Sequence, residues 1–324
     1  MAMPDAPVLL LGGSGFIGRH VAARLAAQAR HVIVPTRNRE RARSLLTLPT
    51  VQVFQADVHD DDRLASLMRG AGAVVNLIGV LEGGRGSPWG PGFERAHVRL
   101  PARLVEAARS AGVRRLLHVS ALGVRDGGER TLPSMYLRSK AAGERIVRDA
   151  KDLAWTVFRP SVVFGPGDAL IERFAKLQRW LPVMLVGRAE ARFQPVWVGD
   201  VAAAIARSID ENATVHRCYE LAGPEVYTLR ELIRAAGEIA GCPRPIIGLP
   251  DALGRLQAML LERAPGALRL SRDNFDSLSI DNVAEGPIAP ELRIEPKPLA
   301  AVAPAYFSHP HELRLADERR RAGR

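Results

Sequence analysis

Four apolar residues, Val8–Leu11, run straight into Gly12-Gly13-Ser14-Gly15-Phe16-Ile17-Gly18, and an amphipathic helical pattern, Ile17–Gln28, begins within that run. No other feature of the chain limits its fold as much. A strand that ends in glycines at 12, 15 and 18 and turns at once into a helix opens a βαβ unit. The first glycine suits a tight turn, the second lets a ligand approach the backbone, and the third lets the helix pack closely on the strand. The free N–H groups and partial positive charge at the helix start then face an anion. The turn therefore predicts the pyrophosphate of a dinucleotide at this point, with Ser14, Phe16 and Ile17 completing the loop around it.

The rhythm that starts there continues. Strand-like runs at Val8–Leu11, His31–Pro35, Val51–Gln55, Ala73–Ile78, Arg115–Ser120 and Trp155–Arg159 alternate with helical patterns at Ile17–Gln28, Asp61–Met68, Phe93–Ser110 and Leu137–Asp149. This βαβα order predicts an α/β fold: a Rossmann-like, doubly wound parallel sheet with helices on both faces and a smaller C-terminal substrate lobe. Residues 1–165 form the nucleotide-binding domain in this reading, with the sheet completed by about 193–222. Residues 166–280 form mainly the lobe, with helical patterns at Ile171–Arg179, Val201–Ile209 and Leu229–Ala240. The stretch 281–324, rich in proline and charge and ending in Arg319-Arg320-Arg321, reads as a loosely packed tail.

The end of the second strand selects between dinucleotides, because a carboxylate there accepts from the adenosine ribose whereas arginine pairs with a 2′-phosphate. Thr36-Arg37-Asn38-Arg39 follows that strand, with no carboxylate before Glu40. Arg37 thus favours NADP(H) over NAD(H). Asp57, with Val58, follows the third strand and can accept from the adenine amino group. Asn76 and Gly79 end the fourth strand beside the cofactor.

Tyr136 and Lys140 form a Tyr-x-x-x-Lys pair, one helical turn apart on one face, just after the fifth strand. A lysine ammonium beside a phenol lowers its pKa and lets it act as acid or base, and Lys140 can also hold the nicotinamide ribose. Together with Arg159-Pro160-Ser161-Val162-Val163-Phe164-Gly165-Pro166 and Gln194-Pro195-Val196-Trp197-Val198-Gly199-Asp200, these motifs resemble the extended short-chain dehydrogenase/reductases, the superfamily of NAD-dependent epimerases and dehydratases. His118-Val119-Ser120-Ala121-Leu122 and Phe193-Gln194-Pro195-Val196 narrow the resemblance to an atypical subgroup that includes the nucleotide-binding accessory subunit of respiratory complex I. The resemblance implies cofactor contacts at Pro160 and Val163 and a catalytic Ser120, Tyr136 and Lys140. One departure stands out: the serine or threonine that active members carry after the fifth strand is replaced by Ala121 and Leu122. Ser120 is either its substitute or a strand-end serine packed against the cofactor.

Several other residues have modest readings. Asp200 caps a helix, Arg159 makes an ion pair or touches substrate, and His118 is a satisfied core histidine. His309 and His311 are too isolated for a metal site, and no metal is expected. The leucine- and arginine-rich run Leu249–Leu270 is a lid over the cleft or a surface that touches a membrane or partner. Cys218 and Cys242 lack redox or metal spacing, and no run reaches the length of a bilayer span. Only four of the 45 basic residues are lysine, and the net charge of +10 is scattered, which excludes a clustered nucleic-acid surface. The expected setting is cytoplasmic, extending to peripheral attachment at the inner face of a membrane. Three functions follow: an NADP(H)-dependent oxidoreductase tied by its resemblance to respiratory-chain or quinone metabolism and acting on a small molecule, a non-catalytic nucleotide-stabilised subunit of a respiratory complex, or an NAD-dependent sugar-nucleotide epimerase or dehydratase.

Overall fold

The computed structural model describes residues 6–168, 170–264 and 268–307 of the 324. The first half of the chain lays down β1 (Val8–Leu11), α1 (Phe16–Ala27), β2 (Val32–Thr36), β3 (Val51–Gln55), α2 (Asp61–Met68), β4 (Ala73–Asn76), α3 (Pro91–Phe93), α4 (Leu100–Ala111), β5 (Arg115–Val119), α5 (Met135–Asp149) and β6 (Ala154–Pro160). The second half adds β7 (Val163–Phe164), α6 (Ile171–Trp180), β8 (Met184–Gly187), β9 (Arg192–Phe193), β10 (Val196–Trp197), α7 (Val198–Ser208) and β11 (Arg217–Leu221). The chain then forms β12 (Tyr227–Thr228), α8 (Leu229–Ile239), β13 (Ile246–Leu249), α9 (Asp251–Leu261), α10 (Arg272–Ser277) and α11 (Leu299–Phe307).

Seven strands make one sheet in the order β11-β6-β5-β4-β1-β2-β3, every pair parallel. From β1 the chain winds outward through β2 and β3, then returns to the other side of β1 with β4. The turns after β1 and β4 therefore diverge and open a crevice at the carboxyl ends of the strands, where open α/β sheets take their ligands. The expected doubly wound Rossmann-like sheet is the observed one. β1 is apolar throughout because both of its faces are covered. Val8 and Leu10 pack with Val21, Leu25 and Ile205 on the α1–α7 side, while Leu9 and Leu11 pack with Leu64, Met68 and Leu104 on the α2–α4 side.

Beyond the sheet the cores are smaller. α6, α8 and α11 share one cluster around Phe164, Leu232 and Leu299, and the ribbon of β8 and β13 backs a second around Val186 and Ile233. Three expectations need correction. The helix expected over Phe93–Ser110 is not uniform: between α3 and α4 the residues Glu94–Arg99 are π-helical. Pro101, inside the first turn of α4, has no N–H to return to the His97 carbonyl. That carbonyl instead faces α5, where a Cβ on Gly143 would meet it at 1.9 Å.

The stretch from Asn282, expected to be loosely packed, is folded as far as residue 307. The Asn282 Oδ1 accepts from Ser161 Oγ at 2.6 Å and from Val162 N at 2.9 Å, and Leu299 and Ala303 are buried. His309, His311 and Arg319-Arg320-Arg321 lie outside the described residues. Asp200 does not cap α7. Its carboxylate, in the first turn, accepts the N–H of Lys297 at 2.9 Å and so ties down the same C-terminal segment.

Candidate functional site

The glycine turn behaves as its spacing requires. Gly12 has φ +77°, a left-handed backbone, and a Cβ there would press on the Leu77 and Ile78 backbone at 3.1–3.2 Å. A Cβ on Gly18 would lie 2.2 Å from the Gly12 carbonyl oxygen, so only glycine lets α1 come this close to the turn. Gly15, the N-cap of α1, supplies no side-chain cap, and the first turn holds no carboxylate. The N–H groups of Phe16, Ile17 and Gly18 are those an α-helix leaves without internal partners. This cradle fits an anion, in charge and in room.

The neighbouring strand ends join it in order. Ser14 Oγ lies 3.3 Å from Thr36 Oγ1, which ties the glycine turn to the end of β2, and Thr36 Oγ1 donates to the Asn38 carbonyl at 3.0 Å. Arg37, between them, is exposed and makes no hydrogen bond or ion pair among the described residues. Asp57 accepts from His59 N at 3.0 Å and pairs with Arg95 at 3.1 Å. Burial works against its charge, but the His59 N–H, the His59 ring and the guanidinium groups of Arg95 and Arg37 hold its carboxyl below the usual range. The Val58 side chain turns into the core beneath α2.

At the end of β4, Asn76 is fully buried. Its Oδ1 accepts from Ile78 N at 3.1 Å, so its amide Nδ2 donates to His118 Nδ1 at 3.1 Å. His118 then carries its proton on Nε2, which finds no partner among the described residues, so this histidine is satisfied on one nitrogen rather than two. Ser120 Oγ, also buried, has none either. These two orphaned polar atoms at the carboxyl ends of the strands are what a site that receives a polar group would leave.

Lys140 is buried and donates from Nζ to the Val119 carbonyl at 3.0 Å, while a Cβ on Gly79 would stand 3.1 Å from the same Nζ. The ammonium is thus held between the ends of β5 and β4. Burial lowers its pKa to about 8, against a smaller upward pull from Glu144. The lowering of the Tyr136 phenol expected from Lys140 is not found: burial raises it to about 12. Ala121, where a hydroxyl was expected from the resemblance, packs in an apolar cluster with Leu137, Ala141 and Tyr136. Leu122 is buried with its N–H on the Pro160 carbonyl at 3.0 Å, and Val163 follows in β7, paired with β10. Arg159 forms an ion pair: its Nε donates to Glu144 at 3.1 Å.

Two residues of the site escaped the sequence. His97, buried in the π-helical segment, stands edge-on to the Tyr136 ring at 5.6 Å and also contacts Phe93. Its Nε2 accepts from Val80 N at 3.0 Å, so Nδ1 donates to Ser139 Oγ at 2.8 Å, and Ser139 donates on to the Tyr136 carbonyl at 2.8 Å. Burial, then the charges of Lys140 and His118, lower its pKa to about 2. Phe93 and His97, four residues apart, were the available signal. The second is Asp273 in α10, whose carboxylate accepts the N–H groups of Met135 at 2.6 Å and Tyr136 at 3.0 Å. It caps the helix that carries Tyr136 from more than 130 residues away, and no local pattern announces that.

A model of the NAD dependent epimerase/dehydratase family matches residues 8–222. A mitochondrial NADH dehydrogenase (ubiquinone) 1 alpha subcomplex subunit 9 from Arabidopsis thaliana is 34% identical over 69% of this chain and 55% of its own length. The chain thus spans little more than half of that relative. A ceramide reductase from Caulobacter vibrioides is 30% identical over 75% of this chain and 74% of its own. Among solved structures, a dTDP-glucose 4,6-dehydratase from Streptomyces venezuelae with NAD and DAU bound superposes with a TM-score of 0.71 at 21% identity, covering 94% of this chain and 98% of that one. At that identity the likeness is one of fold. No helix among the described residues is long and apolar enough to cross a membrane.

Proposed function

The chain belongs to the NAD-dependent epimerase/dehydratase family, and from that premise we propose that it is an NADP(H)-dependent oxidoreductase that reduces a carbonyl of a small molecule. The observation that carries this reading is the placing of Lys140 Nζ between the Val119 carbonyl and Gly79, one helical turn from Tyr136. When bound, the dinucleotide supplies the hydride. Gly12, Ser14, Gly15, Phe16, Ile17 and Gly18 hold its pyrophosphate, and Arg37 takes the 2′-phosphate. Asp57 and the Val58 backbone would border the adenine, and Asn76, Gly79, Pro160 and Val163 would border the nicotinamide half.

With its pKa at about 12 the Tyr136 phenol keeps its proton at neutral pH, whereas Lys140, at about 8, is mostly an ammonium. The phenol therefore begins as the acid and gives its proton to the carbonyl oxygen, while Lys140, held on the Val119 carbonyl, would face the nicotinamide ribose. Ser120 is the hydroxyl nearest in sequence to the missing one and is free to accept or donate.

The kinship to subunits of a ubiquinone-reducing complex supports a setting in quinone or respiratory metabolism, with a respiratory complex or membrane surface as partner. The packing of Ala121 and Leu122 favours a second reading, in which the nucleotide stabilises a docking subunit without turnover. Two measurements decide. Arg37→Ala is expected to weaken NADPH binding on the order of 10- to 100-fold, the worth of an arginine–phosphate pair, and to leave NADH nearly unchanged. NADPH oxidation with quinones and long-chain ketones should vanish in Tyr136→Phe. Equal affinities for the two dinucleotides would remove the NADP assignment, and turnover indifferent to Tyr136→Phe would remove the catalytic one.

A further inference from the structure

The helix α9 is seated the wrong way round for a soluble protein. Its buried residues are Gly254 and Ala258, among the smallest available, and Gly254 lies so close to β8 that a Cβ on Gly187 would meet its Cα at 2.9 Å. Its large apolar residues face outward: Leu253 is 51% exposed, Leu256 46%, Met259 48% and Leu260 68%. At 100° per residue these four share one face of the helix. Alongside it, Gln257 donates to the Leu185 carbonyl at 2.8 Å, and Leu185 pairs in register with Ile247, each 52% exposed. Single exposed leucines are ordinary, but a helix face with small residues inward and leucines outward marks a contact surface.

We propose that this face docks the protein on an anionic lipid surface. Arg255, which borders this face, is already paired with Asp251 and Asp276, whereas the exposed Arg263, two residues past the end of α9 and one turn beyond Met259 and Leu260, makes no ion pair among the described residues. None of the four outward apolar residues has a carboxylate beside it that is not already paired with an arginine. A second copy of the chain laid on it would bury that guanidinium without an acidic partner, whereas an anionic headgroup layer supplies one. The net charge of +10 adds a general attraction to such a surface. Ion pairs from Arg85 to Glu262 and from Arg269 to Glu82 join the end of α9 to the loop after β4. The lipid-facing helix is thus tied to the loop that follows β4. The inference rests on the peripheral-attachment part of the reading above and not on its chemistry.

The test is sedimentation of the full chain with vesicles of phosphatidylcholine alone and with one third phosphatidylglycerol. Each variant is also checked for NADPH binding as evidence of an intact fold, and for mass by light scattering. The wild type should bind the anionic vesicles and release them in high salt. Leu256→Ser combined with Leu260→Ser should reduce binding at least tenfold, and Arg263→Gln roughly fivefold, with NADPH binding unchanged. Binding unaffected by the leucine substitutions would overturn the proposal, as would equal binding to neutral vesicles. A dimer in solution that the leucine substitutions dissociate would assign the face to a second copy instead.

Discussion

The sheet and the lobe, which meet at the Tyr136 helix, are held together by different means. In the sheet, burial dominates: β1, β4 and β5 are covered on both faces, and the interior contains His97, His118, Lys140 and Glu144. In the lobe, the strands come in pairs, the apolar clusters are small, and the joints are polar. Arg188 pairs with Asp251 at 2.9 Å, Arg230 with Glu190 at 2.8 Å, and Asp273 reaches across to cap α5. Burial gives the sheet fixed strand ends on which chemistry can be placed to a fraction of an ångström. Polar joints give the lobe a docking that salt, pH or a bound surface can adjust.

The sharpest way to break the comparison is acid, since the lobe helices carry no histidine, whereas the sheet and the helix layer packed on it bury His118 and His97. The folded pKa values of His97 and His118, about 2 and about 3, lie below the ordinary 6.5. The unfolded chain takes up protons below pH 6.5 and the folded chain does not until pH 2–3. Stability is therefore complete above 6.5 and falls with pH, by about 1.4 kcal/mol per unit for each histidine. By pH 4.5 the two together cost on the order of 5 kcal/mol, comparable with the whole stability of many domains. Urea midpoints at pH 7 and 5 should differ accordingly, and His118→Gln, which can keep an acceptor for Asn76, should flatten the dependence by about half. A midpoint unchanged between these pH values would show that the histidines are not neutral burials.

Backbone packing gives a smaller contrast. Gly18→Ala forces a methyl within 2.2 Å of the Gly12 oxygen and 2.5 Å of Gly13 Cα, atoms that cannot rotate away. A loss of about 1–3 kcal/mol is expected, as for other overpacked sites, together with loss of dinucleotide binding. Gly286, in the C-terminal segment, has nothing within 4 Å of its added Cβ. Gly286→Ala should move the thermal midpoint hardly at all, and equal shifts for the two variants would mean that the close helix–turn contact is not rigid.

The same difference governs how much of the molecule could be read from its residues. The strands β1 to β6 fall within two residues of the runs Val8–Leu11 to Trp155–Arg159, because each strand's burial is written in its own apolar composition. The glycine turn and the Tyr136–Lys140 pair were legible for the same reason: their spacing is local. Asn282 was not, since its side chain earns order from Ser161 and Val162, some 120 residues away. Nor was the π-helical stretch, where one missing N–H at Pro101 and one missing side chain at Gly143 act together across two helices.

The smallest effect concerns the joint itself. Asp273 joins the lobe to the Tyr136 helix through two N–H groups at the start of α5 that Ser134 Oγ, which accepts from Leu137 N at 3.2 Å, does not reach. Asp273→Ala removes both acceptors and should cost about 1 kcal/mol, the usual worth of a helix cap, or about 2–4 °C in thermal midpoint. A cap that served the lobe alone would change only that midpoint. Because the N–H of Tyr136 is one of the two donors, the substitution should also lower kcat several-fold with little change in KM, and Asp273→Asn, which keeps one acceptor oxygen, should recover most of it. If kcat holds while the midpoint falls, Asp273 fastens the lobe without aligning the phenol, and the sheet alone positions Tyr136.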